Sequence, residues 1–116
     1  MAYIAPGAYH MKVLFDRTIS LIQVEQRAAE PRPSIDILMK SVAEVFRDRS
    51  IGVLLTGMGD DGVAGMNAIK DKKGVTIAQD EETSLVFGMP KVAIESGCID
   101  SIVPLSLVAD EIMNSL

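Results

Sequence analysis

The sequence predicts a doubly wound α/β fold with a mostly parallel sheet in three layers, α/β/α. The first observation is the continuously apolar run at residues 51–56, which is typical of a strand buried on both faces of a parallel sheet. The second is the order of elements after this run, since strands and helices alternate over the rest of the chain. A predicted antiparallel hairpin near the start of the chain is the exception to the parallel pattern.

Each element is predicted from a local pattern. Alternating or continuous apolar residues indicate strands, whereas apolar residues spaced by three and four positions indicate helices. Pro and Gly mark the ends of elements, and a serine at a helix start can accept a hydrogen bond from a free backbone N–H. In the first half, the predicted elements are a strand at 2–5, a hairpin of strands 11–16 and 19–26, a polar loop at 27–33, a helix from Ser34 to about Asp48 and a strand at 51–56. In the second half, they are a helix ending at a Gly74 cap, a strand at 75–78, a short helix from Pro90 to Gly97, a strand at 99–103 and a final helix capped by Ser106.

Three of the predicted helices carry an apolar stripe that should face the core. The stripe residues are Leu38, Val42, Val45 and Phe46 in the first helix, Val63, Met66 and Ile69 in the second, and Val108, Ile112 and Leu116 in the last.

Composition excludes several classes of function. The 116 residues suit one domain with one core, and the net charge of −5 without any Lys/Arg cluster argues against nucleic-acid or anionic-membrane surfaces. Apolar runs are far shorter than the ~20 residues of a membrane span, and no signal peptide is visible, so membrane insertion is not expected. The single cysteine, Cys98, excludes an internal disulfide and fits a reducing, cytoplasmic location as a buried, inert thiol.

The stretch LLTGMGDDGVAGM, residues 54–66, permits two interpretations. Gly57, Gly59 and Gly62 spell G-x-G-x-x-G between a strand and a helix, and Asp80 follows at about the interval of a ribose-binding acid, as in dinucleotide sites. The loop also carries two adjacent aspartates. A carboxylate ~5 Å from a phosphate charge costs about 3 kcal/mol at an effective dielectric of 20. The attraction between the phosphate and the helix N-terminus contributes only ~0.3–1 kcal/mol, so nucleotide binding is disfavoured.

A structural role and a chemical role are both open for these aspartates. Asp60 or Asp61 could simply cap the following helix, and this is the preferred interpretation for Asp60. The other carboxylate could orient His10, the only histidine, and stabilise its imidazolium during proton transfer. No serine lies in a G-x-S-x-G nucleophile motif. One histidine with scattered carboxylates gives no metal-ligand spacing, so neither a metal nor a cofactor is predicted.

Four motifs in register resemble one known family. YIAPGAYHM (residues 3–11), PRPSID (31–36), GVLLTGMGDDGVAGM (52–66) and FGMPKVAIESG (87–97) are similar to the catalytic domain of the chemotaxis receptor methylesterases, the CheB family. The resemblance covers nearly the whole chain. It implies a Rossmann-like domain whose Ser-His-Asp triad hydrolyses glutamyl methyl esters, and deamidates glutamines, on chemoreceptor helices.

The resemblance assigns roles to residues of this sequence. His10 is similar to the triad histidine and Asp61 to the triad aspartate, which leaves Asp60 at a dispensable place. Met58, with Gly57 and Gly59 beside it, matches the lining of the active site. The family's nucleophile lies in a G-x-S-x-G-G loop before the histidine, a motif that these 116 residues do not contain.

We therefore expect residues 1–116 to be the carboxyl-terminal part of a methylesterase domain, without its first strand–helix unit, nucleophile loop and receiver domain. The alternative is a non-catalytic module of the same fold that binds a receptor or a partner domain. The expected partners are the cytoplasmic helices of chemoreceptors and a receiver domain. An exposed sheet edge would also allow self-association.

Overall fold

A computed structural model describes residues 1–23 and 33–116. The strands in those ranges are β1 (His10–Val13), β2 (Ile19–Ile22), β3 (Ile51–Leu54), β4 (Val75–Gln79) and β5 (Ser101–Val103). The α-helices are α1 (Ile35–Phe46), α2 (Val63–Asp71), α3 (Met89–Glu95) and α4 (Val108–Asn114). Short 3-10 helices follow α1 at Arg47–Arg49 and precede α4 at Leu105–Leu107.

The strands form two separate sheets in the described ranges. β3, β4 and β5 make a parallel sheet in that order, with α2 and α3 in the connections between them. β1 and β2 make an antiparallel pair in which His10 faces Ile22 and Val13 faces Ile19. The predicted α/β class, with a parallel sheet and an antiparallel hairpin, is confirmed.

The hairpin turn explains why β1 and β2 pair. Asp16 accepts hydrogen bonds from the backbone N–H of Thr18 at 3.0 Å and from its hydroxyl at 2.6 Å. The backbone N–H of Leu14 closes the turn onto the Thr18 carbonyl at 2.9 Å. The predicted second strand extends to residue 26, and its last part, like most of the predicted polar loop at 27–33, lies outside the described residues.

Helix α1 starts where the sequence predicts, because Ser34 accepts a hydrogen bond from the Ile37 N–H at 3.4 Å. Its innermost residue is Ala43, and the partly buried Ile35 and Met39 pack against the core cluster. The predicted stripe of Leu38, Val42, Val45 and Phe46 is only half-buried. The face turned to the core is therefore rotated from the predicted one.

The core lies where α2 and α3 meet the parallel sheet. Leu54, Met66, Ala93 and Cys98 form one buried cluster, and Ile69 on α2 is also buried. Two of the three predicted stripe residues of α2, Met66 and Ile69, are thus fully buried, and Val63 packs against the cluster. The predicted burial of Cys98 is confirmed by its 3% exposure.

The predicted strand at 2–5 is wrong. These residues have no strand partner in the described ranges, and Ile4 is 91% exposed. A strand requires a neighbour to bond its backbone, and an apolar segment without one stays irregular.

The predicted cap at Gly74 is also wrong. Lys73 takes the left-handed conformation after α2, with φ of 66°. Gly74 is needed for a different reason, since a β-carbon there would lie 2.5 Å from the Ser50 hydroxyl oxygen and 2.7 Å from the Ser50 carbonyl. The glycine allows the start of β4 to lie close to the start of β3.

The final helix differs from its prediction at both ends. Ser106 lies inside the 3-10 turn, and the N-cap of α4 is Leu107, which makes no side-chain cap bond. Val108 is buried, whereas Leu116 lies beyond the helix and is 84% exposed.

The predicted short helix is confirmed as α3, with Pro90 in its first turn and Gly97 at φ of 80° after its end.

No helix within residues 1–23 and 33–116 combines the length and the apolar character needed to cross a membrane.

We predict that Gly65→Ala destabilises the fold. Alanine favours a helix over glycine by about 1 kcal/mol. Here its β-carbon would lie 2.5 Å from the Met39 β-carbon, which is fixed to the α1 backbone, and such overpacking costs about 1–3 kcal/mol. Thermal unfolding should show a lower Tm than for Gly7→Ala, where no atom lies within 4 Å of the added carbon. A Tm for Gly65→Ala equal to or above that of the parent chain would contradict the close packing of α1 on α2.

Candidate active site

His10 is the first residue of β1, and its side chain is buried, with 2% exposure. The strand lies against α1, where the Ser41 hydroxyl accepts a hydrogen bond from the Val13 N–H at 2.9 Å. Nδ1 of the imidazole accepts a hydrogen bond from the backbone N–H of Ser34 at 3.1 Å. A neutral imidazole that accepts through Nδ1 carries its proton on Nε2.

Asp61 is bound to the N-terminus of α1. Its Oδ2 accepts from the Ile35 N–H at 2.7 Å, and its Oδ1 accepts from the Asp36 N–H at 3.1 Å. Oδ1 also accepts from the Ser34 hydroxyl at 3.0 Å. Free N–H groups at a helix start need acceptors, and the positive end of the helix dipole favours an anion there. Asp61 therefore caps a helix other than the one that follows it in sequence.

Ser34 joins the two predicted site residues. Its backbone N–H donates to His10 and its hydroxyl donates to Asp61, so all three side chains belong to one cluster. Within residues 1–23 and 33–116, no direct hydrogen bond links His10 to Asp61. The direct hydrogen bond expected from the sequence is not formed; both residues bind Ser34 instead, and donors at the start of α1 bind both carboxylate oxygens of Asp61.

Asp36 makes the reciprocal contact. Its Oδ1 accepts hydrogen bonds from the N–H groups of Gly62 and Gly65 at the start of α2, each at 2.8 Å. The two helices therefore exchange carboxylates, Asp61 capping α1 and Asp36 capping α2. Asp36 was missed as a site residue, although it lies inside the PRPSID motif. An acidic residue in the first turn of a helix is the only local sign that Asp36 could act as a cap. The neighbouring sequence does not show that the capped helix is α2.

The preferred role of Asp60 as a side-chain cap is wrong. Asp60 is exposed, and only its backbone carbonyl takes part, accepting from the Val63 N–H at 3.1 Å. Gly62 is the N-cap of α2, with φ of 105° and no side-chain cap bond of its own. A residue with a side chain would be strained at that φ, so the cap must come from elsewhere, and Asp36 supplies it.

The glycine loop is anchored to the segment before α3. The Gly57 N–H donates to Val86 at 2.9 Å, and the Gly57 carbonyl accepts from the N–H groups of Gly88 and Met89 at 3.0 and 2.9 Å. A β-carbon at Gly88 would lie 2.7 Å from the Gly57 oxygen, which explains the glycine. The loop then projects outward: Met58 is 82% exposed, and Gly59 has φ of 90°.

A buried glutamine supports the base of this loop. Gln79, the last residue of β4, is 1% exposed. Its Oε1 accepts from the Thr56 N–H at 2.7 Å, and its Nε2 donates to the Thr83 carbonyl at 2.8 Å. The Thr56 hydroxyl in turn accepts from the Val86 N–H at 2.8 Å. These hydrogen bonds connect the loop that follows β3 to the loop that follows β4.

Other features of the described residues do not add to this site. The ranges 1–23 and 33–116 contain no cluster of three potential metal-binding side chains. A cavity of about 430 Å³ lies between β1 and α1, lined by residues such as Phe15, Lys40 and Val45. Neither His10 nor Asp61 lines it, so the cavity and the histidine–carboxylate cluster are separate features.

The geometry defines an α/β protein with a histidine–carboxylate cluster, the candidate site, built around the start of one helix. The sequence model of the CheB methylesterase family matches residues 1–112, and the chain belongs to this family. The predicted family is thus confirmed.

Named relatives and a solved structure agree with this assignment. The chain is 44% identical over 117 residues to a protein-glutamate methylesterase/protein-glutamine glutaminase of Pyrococcus horikoshii, with 99% of this chain and 32% of the relative covered. It is 51% identical over 116 residues to such a protein of Carboxydothermus hydrogenoformans, with 95% and 34% covered. The crystal structure of the Thermotoga maritima CheB methylesterase catalytic domain matches with a TM-score of 0.92 at 34% identity, over 98% of this chain and 61% of that one. The chain thus spans about a third of the length of these curated relatives.

We predict that Asp61→Ala destabilises the protein by about 2 kcal/mol, because the start of α1 loses the acceptor of three hydrogen bonds. Urea unfolding measures the change. The matched control is Asp60→Ala, which removes the neighbouring exposed carboxylate and should stay within about 0.5 kcal/mol of the parent. Equal losses in the two variants would contradict the capping role of Asp61.

Proposed function

We propose that this chain supplies the histidine and the aspartate of a protein-glutamate methylesterase site that hydrolyses glutamyl methyl esters, and deamidates glutamines, on chemoreceptors. The observation that carries the proposal is the joining of His10 and Asp61 through Ser34 in a chain of the CheB methylesterase family. Curated relatives that bear this activity in their names support it.

In this mechanism a serine from a segment outside the 116 residues attacks the ester carbonyl carbon. His10 takes the serine proton as the carbon–oxygen bond forms and then gives it to the departing methanol, which leaves an acyl-enzyme. Water, activated by the same imidazole, releases the glutamate and regenerates the serine. Asp61 stabilises the imidazolium that forms in each half of the reaction.

The resting arrangement must change before His10 acts as a base. A triad histidine accepts the serine proton on Nε2, which requires the ring proton to be on Nδ1. In the structure Nδ1 faces the Ser34 N–H instead. We propose that Nδ1 exchanges this donor for the carboxylate of Asp61, the anion bound to the same serine.

The glycine loop is the proposed source of oxyanion stabilisation. In the ranges 1–23 and 33–116, the backbone N–H groups of Met58 and Gly59 donate to no protein acceptor. Free N–H groups on an anchored loop suit the negative oxygen of a tetrahedral intermediate. The anchoring of Gly57 to Gly88 and Met89 holds these groups in place.

The structure gives a further reason to disfavour the nucleotide-binding interpretation of the G-x-G-x-x-G stretch. A pyrophosphate would bind the N–H groups at the start of the helix after the loop. Here Asp36 already occupies the N–H groups of Gly62 and Gly65. A bound phosphate would have to displace this carboxylate.

Proposed partners are the cytoplasmic helices of chemoreceptors and a receiver domain. Apolar side chains on the hairpin remain exposed, among them Phe15 at 79% and Leu21 at 50%, and they suit contact with a partner protein.

β3 has no strand on its outer side within the described ranges, which supports the proposal of self-association through a sheet edge. Size-exclusion chromatography should then show dimers, whereas a clean monomer would contradict self-association.

We predict that His10→Ala strongly lowers esterase activity once a nucleophile is present. The assay joins the chain to the part of the Carboxydothermus relative that lies outside the matched region, which is the proposed source of the nucleophile, and measures methanol released from methylated receptor. The variant should lose at least about 10²-fold in kcat, because the proton acceptor is gone. Asp60→Ala, which leaves the cluster intact, is the control and should keep its activity.

Full activity in His10→Ala would contradict the assignment of the base. Receptor binding without any turnover in the unmutated joined chain would instead favour the non-catalytic binding module. Circular dichroism of each variant separates a loss of chemistry from a loss of folding.

A further inference from the structure

We propose that Gln79 is a positioning residue for the glycine loop. Its buried side-chain amide, at the end of β4, joins the loops that follow β3, β4 and β5 and thereby fixes the backbone that carries the N–H groups of Met58 and Gly59. This role rests on the proposed function for its meaning in the reaction. The fixing of the loop itself can be measured without any catalytic activity.

The side chain of Gln79 meets partners that fit only an amide. Its Oε1 accepts a hydrogen bond from the Thr56 N–H at 2.7 Å, and its Nε2 donates to the Thr83 carbonyl at 2.8 Å and to the Thr83 hydroxyl at 3.2 Å. A backbone N–H can only donate and a carbonyl can only accept, so the amide has a single orientation. Gln79 is 1% exposed, so bulk water cannot replace these partners.

Thr83 extends this network to the loop that follows β5. Its hydroxyl accepts a hydrogen bond from the Leu105 N–H at 3.0 Å and donates to the Asp80 carboxylate at 2.6 Å. Asp80 also accepts from the Thr83 N–H at 3.0 Å, so this carboxylate serves the loop structure. The strands β3, β4 and β5 are parallel, and the loops after them therefore lie at one edge of the sheet, where Gln79 connects all three.

Thr56 connects Gln79 to the glycine loop. It lies two residues before Met58, and its hydroxyl accepts a hydrogen bond from the Val86 N–H at 2.8 Å. The next residue, Gly57, donates its N–H to the Val86 carbonyl at 2.9 Å. The backbone that leads into Met58 is therefore held at two successive residues, and the first of them depends on Gln79.

A buried side chain that only stabilised the fold would have no particular effect on the glycine loop. Thr76, on the same strand, offers the comparison, because it is fully buried and its hydroxyl accepts from the Asp100 N–H at 2.9 Å. Thr76 lies near the start of β4, whereas the hydrogen bonds of the Gln79 side chain go to loop residues at the end of the strand. The loop should therefore respond to a change at Gln79 and not to one at Thr76.

The first experiment compares the 116-residue chain with Gln79→Met and Thr76→Val. Methionine is unbranched and close to glutamine in volume, but it leaves the Thr56 N–H and the Thr83 carbonyl without their buried partner. NMR measures hydrogen exchange of the Gly57 N–H as a protection factor, the exchange rate of an unstructured amide divided by the observed rate. Relative to amides of α1, this protection should fall at least about tenfold in Gln79→Met and stay within about threefold of the parent in Thr76→Val.

Gln79→Glu tests the amide without changing the size of the side chain. The neutral carboxyl group can accept from the Thr56 N–H and donate to the Thr83 carbonyl, whereas the ionised group presents a second acceptor to that carbonyl. Burial should raise the pKa of the introduced carboxyl above its ordinary value of about 4.3, and the nearby Asp80 carboxylate acts in the same direction.

The protection of the Gly57 N–H in Gln79→Glu should therefore depend on pH. Below the raised pKa the neutral carboxyl replaces the amide, and the protection factor should be close to that of the parent. As the pH rises through this pKa, the protection factor should fall about tenfold, while that of the parent stays constant. Because the neutral form keeps both hydrogen bonds, this variant gives a result even where Gln79→Met does not fold.

The joined chain of the methanol assay gives a second measurement. Gln79→Met should lower kcat at least about tenfold with little change in KM, because displaced N–H donors affect the transition state more than the bound receptor. Thr76→Val should keep the kcat of the parent, since its hydrogen bonds lie away from the glycine loop. Circular dichroism of each variant confirms that it is folded in the assay.

Unchanged protection of the Gly57 N–H in Gln79→Met, or an equal loss in Thr76→Val, would overturn the positioning role. A protection factor in Gln79→Glu that does not change with pH would also overturn it. Loss of protection in Gln79→Met together with an inactive unmutated joined chain would remove the proposed function and leave the fixing of the loop intact. An active joined chain whose kcat is the same in Gln79→Met would contradict the role of Gln79 in the reaction.

Discussion

The exchange of carboxylates between α1 and α2 is the interaction on which the rest of the site depends. Asp61 binds the first N–H groups of α1, and Asp36 binds those of α2. Each carboxylate meets donors that have no partner within their own helix, and each lies at the positive end of a helix dipole. Because the two contacts run in opposite directions between the same two helices, they hold the helices relative to each other and to the glycine loop between β3 and α2.

This arrangement explains how a structural contact and the candidate chemical site share the same residues. A carboxylate that only capped a helix could come from the same segment, as a serine or aspartate at an N-cap usually does. Asp61 instead reaches a second helix whose cap residue also touches His10. Packing of Met39 against Gly65 brings the helices close enough for this contact. The glycine loop can then hold Met58 outward from a fixed base formed by Gly57 and Gln79.

The sequence predicted those features that depend on local patterns. The hairpin follows from its alternating residues and turn, β3 from its apolar run, and the start of α1 from Ser34. The pairing of His10 with an aspartate was expected from the residues, and the choice of Asp61 from the family's motifs; the structure brings both residues to Ser34 without a direct hydrogen bond between them. Their catalytic roles stay predictions.

Features set by tertiary contacts were not predictable. Asp36 and Asp60 are both acids beside a helix start, and only packing decides that Asp36 makes the cap. Gly74 looks like a helix end, yet its small size serves the contact with Ser50, while Lys73 takes the left-handed turn. The segment at 2–5 has the composition of a strand but no neighbour in the described ranges. In each case the local pattern allowed several outcomes, and distant residues selected one.

The most direct test of the exchanged carboxylates is a double-mutant cycle with Asp36→Ala and Asp61→Ala, measured by urea unfolding. If the two contacts form as one unit, the double variant should lose less stability than the two single variants together. The expected coupling free energy between the two substitutions is at least about 1 kcal/mol. If the stability loss of the double variant instead equals the sum of the two single losses to within about 0.5 kcal/mol, the two carboxylates act independently, which would contradict the coupling of the two contacts.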